Sequence, residues 1–99
     1  DQANYTVIHE GMRQVVTAGT GGALNISNVE IAAKTGTAQV GISKKAINSW
    51  VIGFFPYENP KYAFTVLMEN SPSSNKIGAS QAMGELFRWM ALYTPEYFK

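Results

Sequence analysis

The residues best suited to chemistry lie in one short stretch, Lys34-Thr35-Gly36-Thr37. It follows residues 29–33, in which aliphatic side chains occupy every second position, a pattern that predicts a β-strand. A lysine, two threonines and a glycine then stand where a core strand would carry aliphatic residues. Glycine inside a strand often marks close approach of a ligand to the backbone. We therefore interpret the stretch as an edge strand whose end carries chemistry.

Lys34-Thr35-Gly36 also matches the third of three signatures of the serine acyl-transferases that react with penicillin, the others being Ser-x-x-Lys and Ser-x-Asn. Alone it is a weak signal, but here it extends over 32–39 and is followed by the segments 48–56 and 62–70. In this order the segments resemble the C-terminal part of the transpeptidase domain of class B penicillin-binding proteins. The resemblance runs from about residue 5 to residue 93. It departs from the family at Ala33, where the family usually has glycine.

The resemblance implies a role for each residue of the stretch in acyl transfer from D-Ala-D-Ala. Lys34 would supply positive charge beside the nucleophilic serine, where negative charge develops. The hydroxyls of Thr35 and Thr37 would hold the terminal carboxylate of the stem peptide or of a β-lactam, and the backbone N–H of Thr37 would be an oxyanion donor. Gly36 has no side chain, so the acyl group could lie against the backbone there, and Ala38 would be a further substrate-binding residue. The substrate would join the open edge of the strand through main-chain hydrogen bonds.

A nucleophile is not evident in this chain. Ser73-Ser74-Asn75-Lys76 formally matches both missing signatures, but the two matches share one serine and fall in a loop after the third strand. The nucleophile should instead begin a buried helix, with its lysine one turn further on. Ser27, Ser43 and Ser49 have no lysine three residues later. We therefore expect a fragment that is inactive alone, cut from a serine-type D,D-transpeptidase that β-lactams acylate.

The first element is predicted to be a helix over about 4–18. Its apolar stripe consists of Ile8, Met12, Val15 and Val16, which recur with the helical period. Asn4 is the expected N-cap, and Gly19 is the expected left-handed residue just beyond the helix.

The remaining pattern predicts an antiparallel meander of strands over about 29–38, 49–55 and 62–69, followed by a helix over about 78–92. The second and third strands are apolar on both faces, as in strands covered from both sides. The predicted fold class is α+β: three antiparallel strands flanked by an N-terminal and a C-terminal helix, as a partial domain similar to penicillin-binding proteins and serine β-lactamases.

Composition narrows the classes of function further. The 99 residues carry a net charge of +1 with no basic run, so nucleic acid is not an expected partner. There is no cysteine and one histidine, and we expect neither a metal site nor a cofactor. No apolar run is long enough to cross a membrane. The resemblance places the parent protein at the extracytoplasmic face of the bacterial membrane, with its anchor outside this chain.

The absence of the rest of the domain has a consequence for the third strand, 62–68. In the family, this strand pairs with the first strand of the domain, so here its edge should be unpaired and could pair with a second copy in an edge-paired or strand-swapped dimer. One alternative is a free-standing α+β binding module with an accidental Lys-Thr-Gly. A piece of a serine β-lactamase is disfavoured by Thr37-Ala38-Gln39 and by Phe54-Phe55-Pro56. The long third strand ending in Glu69-Asn70 looks more like elongation-type than division-type enzymes, although the sequence leaves the pathway open.

Overall fold

The computed structural model describes residues 1–41, 45–74 and 77–99. Helix α1 spans Gln2–Ala18. Its N-cap is Asp1, whose carboxylate accepts hydrogen bonds from the backbone N–H groups of Ala3 (2.8 Å) and Asn4 (3.3 Å). The predicted N-cap at Asn4 is therefore wrong, since an aspartate three residues earlier satisfies the free donors of the first turn. Gly19 also differs from the prediction, because its backbone is extended (φ −127°, ψ −151°).

The three strands form one antiparallel sheet in the order β1-β2-β3. They span Ala32–Val40, Ala46–Phe55 and Tyr62–Pro72. Helix α2 spans Ala79–Tyr93, and short 3₁₀ turns span Gly22–Leu24 and Pro95–Phe98. The predicted α+β class and the meander are confirmed, although β1 begins three residues later than predicted and the other two strands are longer.

The core lies between α2 and one face of the sheet, and its centre is aromatic. The Phe87 ring of α2 is fully buried, with its centroid 5.2 Å from that of Phe55, 5.1 Å from Phe64 and 6.0 Å from Phe98. Leu24, in the connector after α1, is also fully buried. The connector between α1 and β1 thus contributes to the core.

Helix α1 packs on the opposite face of the sheet, over β1. The imidazole of His9 lies 4.8 Å from the Phe54 ring, and Arg13 Nη1 donates to the Ile31 carbonyl at 2.7 Å. Further along β2, the side chains of Trp50 and Ile52 remain 37 % and 47 % exposed. β3 likewise has no buried residue, and its Leu67 is 57 % exposed. The prediction that both strands are covered on both faces is therefore wrong for the described part of the chain.

A β-bulge interrupts the pairing of β2 with β3 near its far end. Ile47 pairs with Ser71 and Ser49 pairs with Met68. Asn48 therefore faces two residues of β3, Glu69 and Asn70. The second of these, Asn70, has a φ of 60° and donates its backbone N–H to Asn48 Oδ1 at 2.9 Å. Asparagine tolerates this left-handed conformation better than most residues. The bulge therefore ends the regular part of β3.

Helix α2 approaches the connector after α1 very closely. A β-carbon on Gly84 would lie 2.5 Å from the Ala23 carbonyl oxygen, and Arg88 Nη2 donates to that same oxygen at 3.0 Å. Glycine permits this approach because it has no side chain. The contact fixes the position of α2 along its axis relative to the connector.

Candidate active-site cleft

In the described part of the chain, strand β1 occupies one end of the sheet and pairs with β2 alone. Its register places Lys34 opposite Ile52 and Gly36 opposite Trp50. Because side chains alternate along a strand, Lys34 lies on the face that α1 covers, whereas Thr35 and Thr37 lie on the face of α2. The sequence-predicted residues are therefore divided between the two faces of one edge strand.

The two threonines of the stretch line an open cleft of about 240 Å³ between β1, β2 and the start of α2. The residues that line it are Thr20, Thr35, Gly36, Thr37, Ile47, Ser49, Gly78, Ser80 and Gln81. Hydroxyl, amide and backbone groups provide most of its polar character. The cleft thus brings together Thr35, Gly36 and Thr37, while Lys34 and Ala38 lie outside its lining.

The hydroxyl of Thr35 is held by another hydroxyl. Thr20 Oγ1, in the connector after α1, lies 2.5 Å from Thr35 Oγ1. Each hydroxyl has one proton, so only one of the two can donate in this bond. When Thr20 donates, the proton of Thr35 stays available to an incoming anion. The direction of this one bond therefore decides whether Thr35 can donate to a ligand.

Gly36 is packed beneath the indole of Trp50. A β-carbon at this position would collide with the Cε2 and Cζ2 atoms of the ring. The glycine therefore has a structural function, the close packing of Trp50 across the β1–β2 pair, in addition to the open backbone expected from the sequence.

The first turn of α2 is attached to β2 directly behind Thr37. Ser49, the register partner of Thr37, is buried and its Oγ accepts the backbone N–H of Ala79 at 2.9 Å. Gln81 Oε1 accepts the N–H of Gly78, also at 2.9 Å. Both bonds satisfy donors that a helix N-terminus leaves free. They fix the wall of the cleft that faces β1.

Lys34 is exposed at the border of a second, apolar groove. Its Nζ donates to the carbonyl oxygen of its neighbour Thr35 at 2.7 Å. The groove is lined by Ile8, Gly11, Met12, Val15, Lys34 and Ile52. Within the described ranges, no carboxylate lies within ion-pair distance of Lys34. Its charge is therefore not neutralised by an acidic side chain of the described residues.

The sequence 73–76 is described only in part, since Asn75 and Lys76 lie outside the described residues, as does Ser43. Ser73 is exposed in a turn, and its backbone N–H donates to the Lys45 carbonyl at 2.7 Å. Two buried serines, Ser49 and Ser80, line the cleft. Ser80 Oγ is hydrogen-bonded to Gln81 Oε1 at 3.2 Å, and neither serine has a lysine three residues later.

Sequence reasoning overlooked Thr20, Ser80 and Gln81 as cleft residues. Thr20 is separated from Thr35 by 15 positions, and no local period connects them. Gln81 carried a usable signal, because glutamine at the third position of a helix commonly reaches back to its first N–H groups.

Two further properties of the described residues bear on function. They contain no group of three or more histidine, cysteine, aspartate or glutamate side chains that could hold a metal ion. Neither described helix is sufficiently long and apolar to cross a bilayer.

Comparison with known proteins identifies the family to which this fold and cleft belong. The chain belongs to the penicillin-binding-protein transpeptidase family: the family described as the penicillin binding protein transpeptidase domain matches residues 1–88. This match argues against the alternative of an unrelated module with an accidental Lys-Thr-Gly.

Individual relatives extend the comparison. The chain is 33 % identical over 96 residues to the peptidoglycan D,D-transpeptidase MrdA of Haemophilus influenzae, a match covering 81 % of this chain and 15 % of that protein. The transpeptidase domain of FtsI4 from Legionella pneumophila superimposes with a TM-score of 0.71 at 25 % identity, over 93 % of this chain and 35 % of that one. Pseudomonas aeruginosa PBP2 gives 0.66 at 35 % identity, over 91 % of this chain and 20 % of that one. The chain thus spans only a small part of the proteins that it resembles.

Proposed function

We propose that this chain is the substrate-holding part of a peptidoglycan D,D-transpeptidase, the enzyme that cross-links cell-wall stem peptides and is acylated by β-lactams. The observation that carries the proposal is the cleft beside the open edge of β1, which gathers the Thr35 and Thr37 side chains with the backbone of Gly36. A peptide ending in D-Ala-D-Ala would lie along that edge and add to the sheet as a further strand.

The proposed roles divide between carboxylate binding and charge stabilisation. The hydroxyls of Thr35 and Thr37 would donate to the terminal carboxylate, a charge-assisted bond stronger than a neutral one. Thr20 would support this role by donating to Thr35 Oγ1, which leaves the one proton of Thr35 for the carboxylate. The backbone N–H of Thr37 would donate to the oxyanion, while Gly36 and Ala38 keep the edge of the strand accessible to the acyl group.

Lys34 would act from the other face of the strand. A substrate at the edge of β1 is flanked by side chains of both faces, so an exposed lysine beside it can reach the site where negative charge develops. The absence of a neighbouring carboxylate among the described residues favours this role, because the positive charge stays available.

We further propose that the nucleophilic serine, its lysine and the Ser-x-Asn element come from other residues of the parent protein, so that this chain alone is inactive. This proposal is supported by the small share of its relatives that the chain covers, 15 % of MrdA and 35 % of the FtsI4 transpeptidase domain. The parent would be anchored in the membrane and act at its extracytoplasmic face. The outer edge of β3, free in the described sheet, would accept the rest of the domain or, in this chain alone, a second copy.

Labelling with a fluorescent penicillin tests the proposal. We expect no label on this chain alone, and label on the upstream part of the domain after the two parts are mixed. Lys34→Ala should lower that labelling by about tenfold or more, since removing one electrostatic stabiliser typically costs that much or more in rate. The matched control is Lys45→Ala, because Lys45 is an exposed lysine just before β2. This variant should leave the labelling unchanged. A stable adduct on this chain alone would refute the missing nucleophile.

A further inference from the structure

Gln81 lies in the first turn of α2 and lines the cleft together with Thr35 and Thr37 of β1. It is exposed, so a ligand in the cleft can reach its side chain. Within the described ranges, the lining of the cleft contains no lysine, arginine or histidine. An anion bound there would therefore depend, among the described residues, on neutral hydrogen-bond donors.

The amide oxygen of Gln81 is engaged by the start of its own helix. Oε1 accepts the backbone N–H of Gly78 at 2.9 Å and the hydroxyl of Ser80 at 3.2 Å. A backbone N–H can only donate, so the amide atom that it meets must be the oxygen and not the nitrogen. These two bonds therefore fix the orientation of the amide group.

The amide nitrogen of Gln81 remains available to a ligand. No acceptor among the described residues is hydrogen-bonded to Nε2. The neighbouring hydroxyl of Ser80 donates its one proton to Gln81 Oε1 and has none left for a ligand. Gln81 thus offers two N–H groups at the cleft, and a ligand can accept them without breaking the bonds to Oε1.

We infer that Gln81 Nε2 donates to the terminal carboxylate of the ligand from the α2 side of the cleft, while Thr35 and Thr37 donate from the β1 side. This inference rests on the proposed function, which places that carboxylate at the two threonine hydroxyls. A carboxylate has two oxygens and about four acceptor sites, so it can bind donors on both sides. Gln81 is then a residue that determines specificity for ligands with a free carboxylate.

The fixed amide makes this contact efficient. A mobile glutamine side chain loses rotamer freedom when it binds a ligand, and this loss weakens binding. In this chain the bonds to Gly78 and Ser80 have already ordered the side chain. A hydrogen bond to an ionised acceptor is also stronger than one to a neutral acceptor. The amide should therefore distinguish a free carboxylate from its ester.

Gln81→Glu separates the ligand contact from the contact with the helix. A carboxylate at residue 81 still accepts from Gly78 and Ser80, and a negative charge near a helix N-terminus is favourable, so the thermal midpoint should not fall. The substitution replaces the donor by a charged acceptor, which repels the carboxylate of the ligand.

Acylation rates of the complete parent domain measure this effect. With benzylpenicillin, Gln81→Glu should slow acylation about tenfold or more, as expected from loss of a hydrogen bond to a charged group. With the methyl ester of benzylpenicillin the variant should slow acylation clearly less, because the ester carries no charge at this position.

Two further variants serve as controls. Gln14→Glu makes the same change at an exposed position of α1, outside the cleft lining, and should leave both rates within about twofold. Gln81→Met removes both the acceptor and the donor, so it should lower the thermal midpoint as well as the rate with benzylpenicillin.

The possible failures are distinguishable. An unchanged rate for Gln81→Glu with benzylpenicillin, or an equal loss with the acid and the ester, would overturn the inference and leave the proposed function intact. No acylation of the unchanged parent domain would overturn the proposed function and this inference together.

Discussion

The indole of Trp50 lies directly over Gly36, at the place that a β-carbon of residue 36 would occupy. The two residues are register partners in adjacent strands, so their packing joins the centre of the Lys-Thr-Gly-Thr stretch to β2. Residue 36 must therefore be glycine for the packing of Trp50, whether or not a ligand is bound. This packing also predicts how the stretch responds to substitution.

Gly36→Ala should therefore destabilise the fold by displacing Trp50. We expect a loss of about 1–3 kcal/mol in the free energy of unfolding, the usual cost of overpacking. Urea unfolding followed by Trp50 fluorescence, in a Trp89→Phe background, measures it. Gly11→Ala is the control, because its β-carbon would meet nothing within 4 Å and should instead stabilise α1 by up to about 1 kcal/mol. Equal stability of the two variants would contradict the packing argument.

Thr35→Val should slow acylation by penicillin in the reconstituted two-part domain. We expect a loss of about ten- to hundredfold, the value of a hydrogen bond to a charged group. Thr20→Val should cost less, and the double variant should be no slower than Thr35→Val alone, because Thr20 acts through the Thr35 hydroxyl. Thr6→Val, whose hydroxyl donates within α1, should leave the rate unchanged. Additive effects of Thr20 and Thr35 would show that they act separately.

Ser49→Ala should weaken the attachment of α2 to β2. It leaves the Ala79 N–H without its buried acceptor, which costs about 1–3 kcal/mol of unfolding free energy. Ser27→Ala, at an exposed position, should change stability by less than about 0.5 kcal/mol. Chemical denaturation of both variants gives the comparison, and a neutral Ser49→Ala would mean that another acceptor replaces the hydroxyl.

Phe87→Ala should have the largest effect on folding. The ring is fully buried among three other phenylalanines, and its removal costs about 3–5 kcal/mol. Leu92→Ala removes a large side chain from the same helix at a position 76 % exposed and should cost far less. Thermal unfolding by circular dichroism distinguishes them. Similar melting temperatures for the two variants would show that Phe87 is not at the centre of the core.

The sequence was sufficient for the order and type of the elements because their patterns are local. Alternation predicted β1 and the helical period predicted α1, and the structure contains both. The ends of the helices were harder to predict, because the N-cap is the residue whose side chain reaches the free N–H groups of the first turn. Asp1 does so, although Asn4 is an equally good capping residue.

The candidate site was predictable only where its residues are consecutive. Lys34-Thr35-Gly36-Thr37 stands out in the sequence, but Thr20 and Ser49 enter the cleft through tertiary contacts between separate elements. The division of Lys34 and Thr35 between two faces follows from strand geometry and could have been derived. The contact of Trp50 with Gly36 required the register of β1 with β2, which the sequence pattern does not determine.

The close contact of Gly84 with the Ala23 carbonyl has a mechanical consequence for the cleft. Gly78 is the N-cap of α2 and Ser80 lies in its first turn, and the connector that the helix touches through Gly84 carries Thr20. The two walls of the cleft are therefore in direct contact with each other, and we expect this contact to oppose a sliding movement of α2 that would widen the cleft. Under the proposed function, a bulky acyl group would instead be accommodated on the side of β1, at the end of the described sheet.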